Sequence, residues 1–310
     1  MYALSRNGGR GAVGELNDIV QRLEPSLGPL RGSATPLEGG ITNRNFRATL
    51  GDCDYVIRVH GRNTGMLGID REAELLASEQ AARLGIAPQV AAALEDCLVT
   101  SYLDSASVSP QEAAVRAQEI ARALRRFHAA PVRLPASFWV PDLLEGYARI
   151  LRRRAGSPPE AFTDAVGIAK RIARAVPLTR AVPCHNDLLA GNILIARDDG
   201  RMMIVDWEYA GMGHPCFDLG NLSINNDFDE AADERLLGAY CEGQPSPGAR
   251  AALRLMRVLS DAREAAWGVV QGAISELDFD FQGYAGKHFE RLTAAAARPD
   301  FDRWLAAAEW

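Results

Sequence analysis

Two periods alternate along this chain. Tyr55-Val56-Ile57-Arg58-Val59 is an apolar run holding one cation, and residues 86–90 and 97–103 have the same strand-like character. Residues 70–84 instead repeat apolar side chains at helical spacing, through Ala73, Leu76, Ala77 and Leu84, with Gly85 as a stop. Residues 15–23 have short helical character and end near Pro25. Ser109-Pro110-Gln111-Glu112 is a capping box with Pro at the first helical position, and it opens a helix carrying Ala113, Ala117, Ile120, Leu124 and Phe127. Residues 162–176 and 249–274 read as further helices, the second long and containing Trp267, and Trp304 and Trp310 fall on a short terminal one. Between these helices, apolar residues 193–196 and 202–205 flank Asp198-Asp199-Gly200, a strong hairpin signal. The pattern predicts a β-rich first third with one prominent helix and a mainly helical remainder broken by one hairpin.

At 310 residues the chain is long enough for one large domain or two lobes, and 47% apolar content suits a globular protein with a real core. A formal charge of −6 lacks the basic footprint of a nucleic-acid binder. Cys53, Cys97, Cys184, Cys216 and Cys241 are scattered and odd in number, which disfavours a disulfide framework or zinc site and fits a reducing cytoplasm. No run of about 18 apolar residues predicts a membrane helix. Residues 1–14, rich in Gly and Arg, lack the apolar centre of a signal peptide and read as a disordered tail.

The candidate chemistry gathers at the mouth of the hairpin. His185-Asn186-Asp187 precedes it, Asn192 starts its first strand and Asp206 ends its second. Phosphoryl transfer needs such a set: one Asp to orient the attacking hydroxyl and accept its proton, an Asn and a second Asp to hold Mg²⁺. Upstream, residues 37–46 join two apolar flanks through Gly39, Gly40, Thr42 and Asn43. They form either an ordinary hairpin or a loop whose backbone N–H groups approach phosphates. Arg58 either meets an anion, with Glu72 and Glu74 as candidates, or reaches water from an edge strand. His128 closes a helix and is expected to stabilise its C-terminus. Asp218 sits in an apolar stretch and needs hydrogen-bond donors, for which the catalytic-loop backbone is a plausible source. In residues 275–284 rings and carboxylates are interleaved, as packing and surface acids or as a holder for an organic cation.

Taken together, GGITNRNF, YVIRVHG, CHNDLLAGNIL, IVDWEYAG, FDLGN and SELDFDFQGYA resemble the choline/ethanolamine kinase family, and most nearly its bacterial choline kinase branch. That family lies within the aminoglycoside-phosphotransferase-like group. The resemblance covers residues 30–295 and implies an α+β, protein-kinase-like fold of two lobes. A small β-rich N-lobe, residues 15–101, would cover ATP; a larger helical C-lobe, residues 102–310, would hold the acceptor. It implies Asp187 as the catalytic group and Asn192 and Asp206 as Mg²⁺ ligands. Arg58 would be the phosphate-facing cation with Glu74 as its partner, Gly39, Gly40, Thr42 and Asn43 the nucleotide-covering loop, and Ser101, Tyr102 and Leu103 the hinge beside adenine. Glu208, Trp267, Asp280, Phe281 and Tyr284 are the candidates for a cationic head-group pocket.

Arg58 stands where protein kinases have Lys, Asp206-Trp207-Glu208 where they have D-F-G, and no A-P-E segment follows. These departures speak against a protein substrate. The expected function is ATP- and Mg²⁺-dependent phosphorylation of a small cationic amino alcohol, choline first. Ethanolamine, an aminoglycoside and thiamine are alternatives, as is a catalytically silent nucleotide-binding protein. No nucleic-acid or membrane partner is expected, and the oligomeric state is open.

Overall fold

The computed structural model describes residues 11–37, 43–61 and 64–310, with side chains from residue 15 onward. Gly39, Gly40 and Thr42, and residues 1–10 of the tail expected over 1–14, lie outside the described residues.

Strand-forming runs in the first third pair into one antiparallel sheet, in the order β1 (Leu30–Leu37), β2 (Arg44–Leu50), β3 (Cys53–Val59), β5 (Cys97–Ser101) and β4 (Val90–Leu94). Helix α1 (Gly11–Leu27) covers one face, burying Ile19, Val20 and Leu23 against Leu50, Ile57 and Val99. It starts at Gly11, inside the stretch expected as a tail. Helix α2 (Arg71–Arg83) lies between β3 and β4 in the chain; the Asp70 carboxylate accepts from the Ala73 N–H at 2.9 Å, a standard N-cap. Gly85, at φ +69°, ends it in a conformation that glycine adopts without penalty. Of the strand expected over 86–90 only Val90 is in a strand, as the start of β4; residues 86–89 are coil. Ile86 and Ala87 pack in the core shared with the C-lobe, and the Ile86 carbonyl accepts from Ile204 N–H at 2.7 Å, so their apolarity reflects that packing and not sheet pairing.

The chain then runs through Tyr102 to β6 (Ser105–Ser107), which pairs with β8 (Ile193–Ala196), itself paired with β9 (Met202–Ile204) in the expected hairpin. The capping box of Ser109 and Glu112 is present, but the helix breaks at Arg116 into α3 (Pro110–Val115) and α4 (Ala117–His128). The break turns Ile120, Leu124 and Phe127 inward and leaves Val115 exposed. Helices α5 (Val140–Arg154) and α6 (Glu160–Ala175) precede β7 (Val182–Cys184), which pairs with β10 (Gly211–Gly213). Helices α7 (Pro215–Asn225), α8 (Glu230–Cys241), α9 (Pro247–Ile274), α10 (Phe281–Ala296) and α11 (Phe301–Ala307) complete the chain.

Helix α9 is the axis of the helical lobe. Its 28 residues span about 42 Å at 1.5 Å per residue, and α5, α6, α7, α10 and α11 all pack on it. Between Ala249 and Val270 nearly every side chain is buried, so its polar residues face protein. Among the described residues no helix is long and apolar enough to cross a membrane.

Helix α7 crosses α9 at Gly220, where a Cβ would stand 2.6 Å from the Met256 backbone. Gly220→Ala should therefore force the helices apart and cost about 2 kcal/mol or more. Urea unfolding of the purified variant measures this, and an unchanged midpoint would refute the close crossing.

Candidate active site

The loop after β7 is buried, so its backbone polar groups need protein partners. Helix α7 supplies them. Asp218, fully buried, accepts from the N–H of His185 at 2.8 Å and of Asn186 at 2.7 Å. Asn221 accepts from the Leu188 N–H, and Asn226 donates to the Leu188 carbonyl at 3.0 Å. Asn186 takes φ +68°, a left-handed conformation that Asn tolerates better than most residues. His128 does not cap its helix as expected. Its Nε2–H donates to Asp218 at 2.9 Å while Nδ1 lies 2.8 Å from the Tyr240 hydroxyl, so it is a partner of the buried carboxylate. His185 Nε2–H donates to the Val205 carbonyl at 3.0 Å and Nδ1 accepts from the Asp187 N–H at 3.2 Å, a neutral tautomer consistent with burial lowering its pKa.

The expected oxygen groups converge. Asn192 donates through Nδ2 to the Asp187 carbonyl at 2.8 Å, which commits its amide nitrogen and leaves Oδ1 as the end that can take a cation. Asp206, at φ +68° and ψ +59°, turns its carboxylate onto Arg58, whose guanidinium also pairs with Glu74. Of the two candidate partners for Arg58, Glu74 on α2 is the one that reaches it. Glu74 is 1% exposed and also binds Arg71 at 2.6 Å. Arg58, Asn192 and Asp206 line a cleft of about 370 Å³ whose other walls include Leu37, Val56, Ile204 and the expected hinge Ser101, Tyr102 and Leu103.

Glu208 is not among the rings. It accepts from Asn43 Nδ2 at 2.8 Å and lies 3.5 Å from Arg71 Nη1, so it joins the hairpin end to the sheet lobe. Burial, with Asp206 nearby, raises its pKa. Asp280 is exposed and accepts from the Gly283 N–H at 2.8 Å, which makes it the N-cap of α10. The remaining three pocket candidates do meet. Trp267 lies edge-on to Phe281 at 5.9 Å and to Tyr284 at 5.5 Å, and Phe279 lies 4.8 Å from Phe281. The Trp267 indole N–H donates to the Tyr209 hydroxyl at 2.8 Å.

Arg263 and Glu264 went unnoticed in the sequence. The Arg263 Nη1 lies 2.8 Å from Glu264 and 3.4 Å from Asp187, and the guanidinium sits 4.3 Å over the Tyr209 ring. Glu264 in turn accepts from the Tyr284 hydroxyl at 2.7 Å. Burial pushes the Asp187 carboxyl up to about 8, against the pull of Arg263 and with help from Glu264, Asp206 and Glu208. The signal available was a charge pair inside a run apolar on every other face, since charges in such a helix are paired in the interior.

The arrangement can hold a cation at Asn192 and Asp206, anionic phosphates at Arg58 and a hydroxyl at Asp187. Residues 33–256 match the phosphotransferase enzyme family. A choline/ethanolamine kinase family protein from Mesorhizobium loti superposes with a TM-score of 0.79 at 31% identity, covering 94% of this chain and 98% of that one. Choline kinase LicA from Streptococcus pneumoniae shares the fold, with a TM-score of 0.77 at 22% identity over 91% of this chain and 99% of its own. Ethanolamine kinase 1 of Mus musculus is 24% identical over 88% of this chain and 86% of its own length. The chain therefore belongs to the phosphotransferase enzyme family and, within it, to the choline/ethanolamine kinase family. It is an enzyme that transfers phosphoryl groups to an alcohol, on a protein-kinase-like fold.

The helix that holds the loop has a titratable cap. His214 Nδ1 accepts from the Cys216 N–H at 3.2 Å at the start of α7, and burial, with His128 nearby, lowers its pKa to about 4. The unfolded chain takes up this proton near pH 6.5 and the folded chain only near pH 4, so acid favours unfolding across that window. Between pH 7 and pH 5 this group should remove about 2 kcal/mol of stability. Asn caps without titrating. His214→Asn should lose about 2 kcal/mol less than the parent over that interval, read by urea unfolding at both pH values; equal losses would show that His214 does not carry the acid sensitivity.

Proposed function

We propose that this chain is an ATP- and Mg²⁺-dependent kinase of a small cationic amino alcohol, with choline the acceptor best supported. The observation that carries the reading is that Arg58, Asn192 and Asp206 line one cleft, with Glu74 paired to Arg58 behind it and the Asp187 backbone bonded to Asn192. In this reading adenine lies beside Ser101, Tyr102 and Leu103, and Arg58 faces the phosphates. Asn192 and Asp206 offer the carboxamide and carboxylate oxygens that Mg²⁺ favours, and the ion when bound offsets charge on the transferring group. The acceptor oxygen bonds to the γ-phosphorus, and its proton passes to Asp187. The bond from that phosphorus to the β–γ bridging oxygen breaks, and ADP leaves with the electron pair. Burial makes the ionised form of the Asp187 carboxyl more basic than one in water, and it is that form which accepts the proton.

Choline is favoured by which polar groups near the rings are already committed. Both Glu264 oxygens already have partners, Arg263 and Tyr284, and Asp280 caps a helix. Trp267, Phe281 and Tyr284 remain, and a quaternary ammonium, which donates no hydrogen bonds, binds to rings. Ethanolamine is the second reading, supported by the mouse relative and by the buried Glu264 carboxylate, whose oxygens can accept further bonds from a primary amine.

ADP release from MgATP with choline, ethanolamine, thiamine and aminoglycosides tests the acceptor. Choline should give the highest kcat/KM, and Asp187→Ala should lower kcat by about 10³-fold with ATP binding intact. Preference for another amine would keep the chemistry and remove the choline assignment. On the same panel, Trp267→Ala should raise the KM for choline about 10-fold and leave that for ATP alone; an unchanged choline KM would place the cationic head elsewhere.

A further inference from the structure

Arg263 is 2% exposed, yet its Nε and Nη2 have no hydrogen-bond partner among the described residues. A buried guanidinium left in that state costs stability, so its retention calls for a reason beyond packing. Neutralising Glu264 is one reason. The geometry supplies another, because the same Nη1 that meets Glu264 at 2.8 Å stands 3.4 Å from Oδ1 of Asp187. The stack over Tyr209 at 4.3 Å fixes the plane of the guanidinium, so the contact has a set direction.

We propose that Arg263 is a positioning residue for phosphoryl transfer: it holds Asp187 by Oδ1, so that the second carboxylate oxygen is the one presented to the acceptor hydroxyl. This rests on the reading of Asp187 as the group that orients that hydroxyl. The Asp187 side chain keeps 13% of its surface open, enough for one face to meet an acceptor while the other is held. The same guanidinium links Asp187 through Glu264 to Tyr284, so the ring wall and the proton acceptor are parts of one connected unit. Acceptor seated against Tyr284 therefore meets a carboxylate whose orientation is already set. Preset geometry of this kind matters in catalysis because an error of about 1 Å in a reacting group can cost about 100-fold in rate.

The test is a comparison of wild type, Arg263→Lys and the double variant Arg263→Met with Glu264→Gln. The double variant removes both charges of the pair at nearly constant volume, so it leaves no unpaired charge from that pair in the core. Each is measured for melting temperature, KM for ATP and kcat with the acceptor that wild type uses best. The double variant should melt within a few degrees of wild type and keep its KM for ATP, while kcat falls about 100-fold. Arg263→Lys keeps the charge but cannot span both carboxylates, so its kcat should lie between the two. Wild-type kcat in the double variant would show that Arg263 only balances Glu264 and would overturn the proposal. Where the double variant melts too early to assay, Arg263→Lys decides: a lowered kcat at unchanged KM for ATP supports positioning, and an unchanged kcat overturns it. A wild-type chain that consumes no MgATP with any acceptor overturns the functional reading and this proposal together.

Discussion

The site depends on how one buried charge is satisfied. Asp218 has no contact with water, and an isolated carboxylate there would be neutralised or the fold lost. Its two oxygens are met by the N–H groups of His185 and Asn186 and by the imidazole of His128. The compensation works in both directions. The carboxylate supplies acceptors for a loop too buried to find water, and the loop supplies donors for a carboxylate too buried to be solvated. Asn186 can hold φ +68° because these bonds over-determine the backbone around it. The direction of Asp187 follows from that turn. Helix α7 brings Asp218, Asn221 and Asn226 to the loop together, and Gly220 seats the helix on α9. The position of the Asp187 carboxylate is thus inherited from a helix crossing at Gly220.

The two lobes are joined at the cleft by charge. Arg58 spans Glu74 and Asp206, while Arg71 and Asn43 meet Glu208. Two arginines face three carboxylates here, so the cluster has one negative charge in excess when all are ionised. Burial is the main reason that the Glu208 pKa is raised, and the neighbouring Asp206 charge adds to it. Under the proposed function Mg²⁺ arrives with the nucleotide at Asp206, where it would offset the imbalance, and Arg58 would be shared between protein carboxylates and phosphates. In that reading the geometry of the cleft and the chemistry of its ligand call for the same set of charges.

The parts of this site that were legible in the sequence are local. Asp187, Asn192 and Asp206 fall within one loop and hairpin, where spacing, an Asp-Gly turn and two short apolar runs define the geometry. Glu74 could be selected over Glu72 only through the family resemblance, since both lie in the first turns of α2. Long-range contacts were not legible. His128 finds Asp218 and Tyr240 across 90 and 112 residues, and no local pattern distinguishes that from a helix-end histidine. Glu208 stood with the ring candidates only through the family resemblance, but a 3-10 turn places it against Asn43 and Arg71. Asp280 stands among aromatics in sequence because a helix begins there, and its carboxylate serves the helix.

Arg263 is the most instructive omission, because its meaning depends on how many helices surround α9. On a helix with one solvated face, Asp261, Arg263 and Glu264 would be surface charges with little effect. With α5, α6, α7, α10 and α11 packed around it, no solvated face remains along the middle of α9 and each charge must find a partner inside. Asp261 takes His288 and Arg291, and Arg263 takes Glu264 and Asp187. The second pair puts a fixed cation beside the proton acceptor in an enzyme read here as binding a cationic substrate. Glu264 offsets that cation and accepts a hydrogen bond from the Tyr284 hydroxyl. Arg263 is itself stacked over Tyr209, whose hydroxyl accepts from Trp267, so the pair meets the rings through both of its charges.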